Sequence, residues 1–150
     1  MDQTVDARQL ARPYGAAMQT TTSSQTFLDH IAARNFEKLA GTLAPDAVAR
    51  FLLPRGPQET AGADAIARRF EGWFGAAGSF TVLSTVNQPV GGRSLLQWRF
   101  SLSRDGRSTE VIEQVAFVDE GPAGIYRLDL LCSGFLPDPA LQTCDVPARI

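Results

Sequence analysis

Alternation of apolar and polar positions with a period of two dominates the second half of the chain and predicts four strands. In Glu110–Val118, the positions Val111, Val115 and Phe117 fall on one face of an extended segment, and a single carboxylate, Glu113, falls there with them. Ile125–Cys132 alternates in the same way, with Tyr126, Leu128, Leu130 and Cys132 on one side and Arg127 and Asp129 on the other. The intervening Asp119–Gly124 is rich in turn formers, so the two runs predict an antiparallel hairpin. Ahead of them, Phe80, Val82 and Val86 mark one strand and Leu96, Trp98, Phe100 and Leu102 the next, joined across a loop at Asn87–Gly92. Arg104-Asp105-Gly106-Arg107 is the strongest two-residue hairpin signal in the chain and leads into the strand that holds Glu113.

In the first half the period lengthens to that of a helix. Thr22-Ser23-Ser24-Gln25 fits a capping box, followed by Phe27, Ile31 and Arg34 at i, i+4 and i+7. Asn35 then caps a second short helix carrying Phe36, Leu39 and Leu43, which Pro45 ends. Ala47–Leu53 reads as a short strand and Pro54-Arg55-Gly56-Pro57 as a loop. Gly62-Ala63-Asp64 opens a third helix, in which Ile66, Phe70, Trp73 and Phe74 recur at helical spacing before Gly75–Gly78 stops it. Residues 1–25 read as a polar arm that contains Tyr14 and an alternative start at Met18, residues 26–135 as one folded domain, and residues 136–150 as an irregular tail. Helices gathered ahead of a meander predict an α+β fold, with the helices covering one face of a curved antiparallel sheet.

Composition narrows the function classes. A net charge of −2 spread over 150 residues gives no electrostatic reason to expect nucleic acid or an anionic membrane as partner. No run approaches the ~18 apolar residues of a membrane span, and no basic-then-apolar leader opens the chain. The expected location is therefore the cytoplasm, with Cys132 and Cys144 as free thiols; a bridge between them stays open as an alternative. With one histidine and no Gly-rich phosphate loop, the expected chemistry needs no cofactor and no metal.

The order and spacing of several short motifs carry a resemblance to a family. These are Phe27-Leu28 to Asn35-Phe36-Glu37-Lys38-Leu39, Leu43–Val48, Gly62-Ala63-Asp64-Ala65-Ile66, Val111-Ile112-Glu113 to Phe117, and Gly124-Ile125. Over residues 26–135 the chain resembles the nuclear transport factor 2-like superfamily, in its SnoaL-like and ketosteroid-isomerase-like branch. The resemblance implies a cone, a curved sheet wrapped around the N-terminal helices with an internal apolar pocket, and a homodimer formed through the exposed sheet face by Gln97, Arg99, Ser101, Gln114 and Arg127. Of the ketosteroid-isomerase positions, that of the general base holds Phe51 or Leu53 and that of the phenol on the first helix holds Phe27, none of which can serve, while that of the protonated acid keeps Glu113. One role of three survives, which argues against steroid-type isomerisation. The essential aspartate of the epoxide-hydrolase and cyclase branches matches Leu130, one position from Asp129.

Two functional readings follow. In the first, Glu113 in an apolar pocket moves a proton in an isomerisation, cyclisation or dehydration of an apolar polyketide- or terpenoid-like molecule, assisted by His30 on the first helix or by Tyr126. Phe27, Ile31, Leu53, Phe70, Trp73, Phe74, Trp98, Phe100, Val111, Val115, Leu128 and Leu130 would line that pocket. In the second, the same domain binds a small molecule or dimerises without catalysis. The discriminating observation is a solvent-open cavity that reaches Glu113, set against a filled core.

Overall fold

The computed structural model of the chain describes residues 22–104 and 106–138. Tyr14, Met18, Asp105, Cys144 and the end of the tail lie outside the described residues. In chain order the elements are α1 (Ser23–Ala32), α2 (Phe36–Leu39) with a following turn of 3-10 helix, β1 (Leu43–Leu53), β2 (Gly56–Ala61), α3 (Ala63–Phe74), β3 (Phe80–Val90), β4 (Arg93–Leu102), β5 (Glu110–Gly121), β6 (Gly124–Cys132) and β7 (Leu136–Pro137). The strands form one curved sheet in the order β2-β1-β6-β5-β4-β3, with β7 pairing to the start of β5. Every pairing is antiparallel except β1 with β6.

Local chemistry explains where the helices begin and end. Thr22 caps α1 by accepting a hydrogen bond from the Gln25 backbone at 3.1 Å, while the Gln25 side chain goes to Asp29 and Asn87 instead of closing the box. The helix stops at Arg34, whose φ of 55° no helix continues, and α2 restarts from Asn35. That guanidinium then serves α3: it donates to the carbonyls of Phe74 and Ala77 and lies 4.8 Å from the Phe80 ring.

Proline placement corrects two predicted loops. The strand β2 runs through Pro57, and β3 runs through Pro89 to Val90, leaving only Gly91-Gly92 as a turn. Both strands are edges of the sheet, where a residue without an N–H can sit with its blank side outward. The tail also contributes a short pairing, Leu136 with Val111 and Pro137 with Glu110.

The helices pack on the inner face of the sheet around a cluster of rings. Phe27, Phe51, Phe70, Phe74, Trp98 and Phe100 are each buried to within 1%. Phe70 of α3 meets Phe27, Phe51, Trp73 and Trp98, with ring centroids 5.2–6.2 Å apart and near-perpendicular planes.

The inner face of β5 is the opposite of the predicted one. Ile112, Gln114, Ala116 and Val118 point inward, and Val111, Glu113, Val115 and Phe117 point outward. The cause is the pairing with β4, whose aromatic face faces the core: Leu96, Trp98 and Phe100 stand opposite Ala116, Gln114 and Ile112 and so share their side of the sheet. A buried indole needs an acceptor, and Gln114 Oε1 accepts from Trp98 Nε1 at 2.8 Å. Tyr126 is also reversed. A bulge opposite Glu120 adds one residue to β6, turning Ile125 inward and leaving Tyr126 51% exposed on the outer side.

Gly124, at the start of β6, has φ of 114°, and a Cβ there would stand 2.7 Å from the Thr42 carbonyl oxygen. Gly124→Ala is expected to cost about 1–3 kcal/mol through strain and this clash, read as a lowered midpoint in urea unfolding.

Candidate functional site

The three predicted catalytic groups are not brought together. Glu113 lies on the outer face, where Arg99 donates to its Oε1 at 2.5 and 2.8 Å and Gln97 to its Oε2 at 2.5 Å. His30 is half-buried on α1, which packs against the inner face, so the sheet stands between the two. Tyr126 stands beside Asp119 and Glu120, six residues along β5 from Glu113, a separation on the order of 20 Å. The predicted lining divides likewise. Phe27, Ile31, Phe70, Phe74, Trp98, Phe100, Leu128 and Leu130 are core residues, Val111 and Val115 face outward, and Leu53 and Trp73 reach an open hollow.

Two of the larger hollows lie on the outer face. One, of about 640 Å³, touches Glu113, Arg99, Val111 and Leu136. The other, of about 600 Å³, lies over Leu52, Val115, Phe117 and Leu131. Beside it, Arg93 bridges Asp119 at 2.8 Å and Asp129 at 2.9 Å. Burial works to raise the Asp129 carboxyl, but hydrogen bonds and charge from Arg93 and Arg127 outweigh it and hold the group below its ordinary value. These carboxylates are already paired.

A third hollow, of about 590 Å³, differs from these two in bordering α3, at Trp73. The end of β1 supplies Leu53, α3 supplies Trp73, β5 supplies Ile112 and β6 supplies Cys132. Phe135, packed edge-on to Phe74, closes one side, and Ser133, Gln58, Arg55, Arg104 and Arg107 complete the rim. Cys132 is held from within: Gln114 Nε2 and the Gly134 backbone N–H each donate to its Sγ at 3.3 Å. A continuous chain Trp98–Gln114–Cys132 thus runs from the ring cluster to the mouth. The thiol is free.

No carboxylate, imidazole or phenol lines this hollow among the described residues. No three His, Cys, Asp or Glu side chains gather as metal ligands among the described residues. What the site offers is apolar contact area, one thiol, one serine hydroxyl and cationic donors. The sequence pattern singled out Leu53 and Trp73, but not Gln114, Phe135 or the arginines. The signal for Gln114 was available in Trp98, an inward indole whose neighbour across the ladder had to be an acceptor. Phe135 follows a glycine outside any alternating run and gave no such signal.

No helix among the described residues is long and apolar enough to cross a membrane. The profile of the SnoaL-like domain matches residues 24–120. No curated protein matches the chain. Among solved structures, a protein of Xanthomonas campestris pv. campestris proposed to be a polyketide cyclase is 17% identical, with 73% of this chain and 86% of that one covered and a TM-score of 0.56. A proposed isomerase of Bacillus subtilis is 11% identical over 74% and 84% of the two chains, with a TM-score of 0.59. An epoxide hydrolase of M. tuberculosis is 14% identical over 74% and 80%, with a TM-score of 0.55. At these identities the likeness establishes the cone fold.

Proposed function

The chain belongs to the SnoaL-like domain family, and on that premise we propose that it binds an apolar small molecule at the mouth of its cone. The observation that carries this reading is the division of the interior. Rings fill the space between α1, α3 and the sheet, and the hollow is walled by the half-buried Trp73, Leu53 and Phe135, with the buried Ile112 and Cys132 behind them. Binding of the neutral dye N-phenyl-1-naphthylamine tests it by fluorescence. Trp73→Ala is expected to weaken binding about fivefold or more, the order of one buried aromatic contact, while Glu113→Gln leaves it within about twofold. Equal affinity of wild type and Trp73→Ala would place the site elsewhere.

A second reading, proton transfer on a polyketide- or terpenoid-like molecule, is favoured by one observation. The Trp98–Gln114–Cys132 chain holds a thiol at the border of the same hollow. Relatives proposed or described as a cyclase, an isomerase and an epoxide hydrolase are consistent with it. Cys132→Ala separates the two readings, since it abolishes turnover in the second and leaves binding in the first.

For the outer face we propose a second copy of the chain. Leu52, Phe117 and Leu131 are 37–55% exposed around one hollow, a cluster of large apolar side chains on one face of the sheet. Of the interface residues expected from the resemblance, Gln97, Arg99, Ser101 and Arg127 do lie on this side, whereas Gln114 is interior. Leu131→Asp is expected to weaken self-association about tenfold by burying a charge, as sedimentation velocity over a concentration series would show.

A further inference from the structure

The apolar walls of the mouth describe one part of the ligand, and its rim describes another. Arg55, on the turn between β1 and β2, and Arg107, in the loop between β4 and β5, both border the hollow and are exposed. Neither has an ion-pair partner among the described residues. Arg104, the third rim arginine, is fixed in place: it donates to Glu110 at 2.9 and 3.1 Å and lies over Phe135, 3.7 Å from the ring centroid. Glu110 spends its charge on Arg104 and does not line the hollow. Next to Trp73, the wall of the same hollow, stands Arg69, whose guanidinium is 5.6 Å from that ring and whose buried Nε has no hydrogen-bond partner.

Two exposed cations with no counter-ion among the described residues, set beside an apolar recess, suit a ligand that brings a negative charge. We infer that the ligand is amphipathic and anionic, a carboxylate on an aromatic or alicyclic body. The body lies on Trp73, Leu53 and Phe135, and the carboxylate takes charge-assisted hydrogen bonds from Arg55 and Arg107. This deepens the binding reading above and rests on it. A carboxylic acid of ordinary strength is ionised at neutral pH, so the preference is for the form present in solution.

The test compares naphthalene-2-carboxylate with its methyl ester, which keeps the body and removes the charge. Each is titrated into the full chain at neutral pH while the indole N–H of Trp73 is followed by NMR, and both titrations are repeated on Arg55→Gln/Arg107→Gln. These arginines lie exposed on a turn and a loop, so the variant is expected to fold. The expected result is that the acid binds about tenfold or more tighter than the ester, the ratio one charge-assisted hydrogen bond supplies. That preference falls with added salt and collapses to within about twofold in the double variant. If acid and ester bind alike and both move Trp73, the charge inference fails while the mouth remains the binding site. An acid preference that survives in the double variant overturns the assignment to these arginines. If neither compound moves Trp73, the mouth reading fails and takes the inference with it.

Discussion

Phe70→Ala is expected to lower the free energy of unfolding by about 3–5 kcal/mol, the range for deleting a large side chain from a well-packed core. The ring is fully buried and touches four others, and those four come from α1, β1, α3 and β4. Its removal therefore takes support from every layer of the domain. None of the neighbours can collapse inward without breaking an edge-to-face contact of its own. Equilibrium urea unfolding measures the loss, and the truncated protein should also take up a small apolar guest in the new void. A loss under about 1 kcal/mol would mean that the space between helices and sheet is loosely filled, as the first sequence reading required.

Gln114→Ala is expected to cost about 3 kcal/mol, and the reason is polar as well as steric. The side chain is fully buried, accepts from the Trp98 indole and donates to Cys132. Truncation leaves a cavity and strands the indole N–H without an acceptor in the core, each a cost of about 1–3 kcal/mol. Glu113→Gln, one residue away, is expected to change stability by under about 1 kcal/mol, because its ion pair with Arg99 is half-exposed. The contrast between adjacent positions reads out the strand face directly. A costly Glu113→Gln beside a silent Gln114→Ala would reverse it.

The architecture was legible because it depends on period and punctuation. Capping at Thr22, the break at Arg34-Asn35, the third helix from Gly62 and the alternating strands all follow from local chemistry, and together with the family motifs they yield the cone. Edge strands were harder, since Pro57 and Pro89 argue against any strand until the strand order shows that each lies at the rim of the sheet.

The face of β5 was misread for an instructive reason. Each face of β5 carries three apolar residues and one polar one, Glu113 on one and Gln114 on the other, so a single-strand pattern does not decide which is inside. Inside and outside are settled between strands, by the aromatic face of β4 and by the need of one indole for a partner. The apolar residues left outside are the ones on which the proposed second copy would rest. Tyr126 failed for a different reason: a bulge shifts the alternation by one residue, and no residue type near Glu120 announces it.

The central claim is that small molecules engage this domain at Trp73, Cys132 and Phe135, outside a filled interior. The most direct measurement is a crystal structure of the protein with N-phenyl-1-naphthylamine. The account predicts the ligand stacked in the mouth hollow, with the Phe70 and Trp98 rings in place and the Trp98–Gln114 hydrogen bond intact. A ligand lodged between α1 and the sheet with Phe70 displaced, or one seated over Glu113 on the outer face, would contradict it.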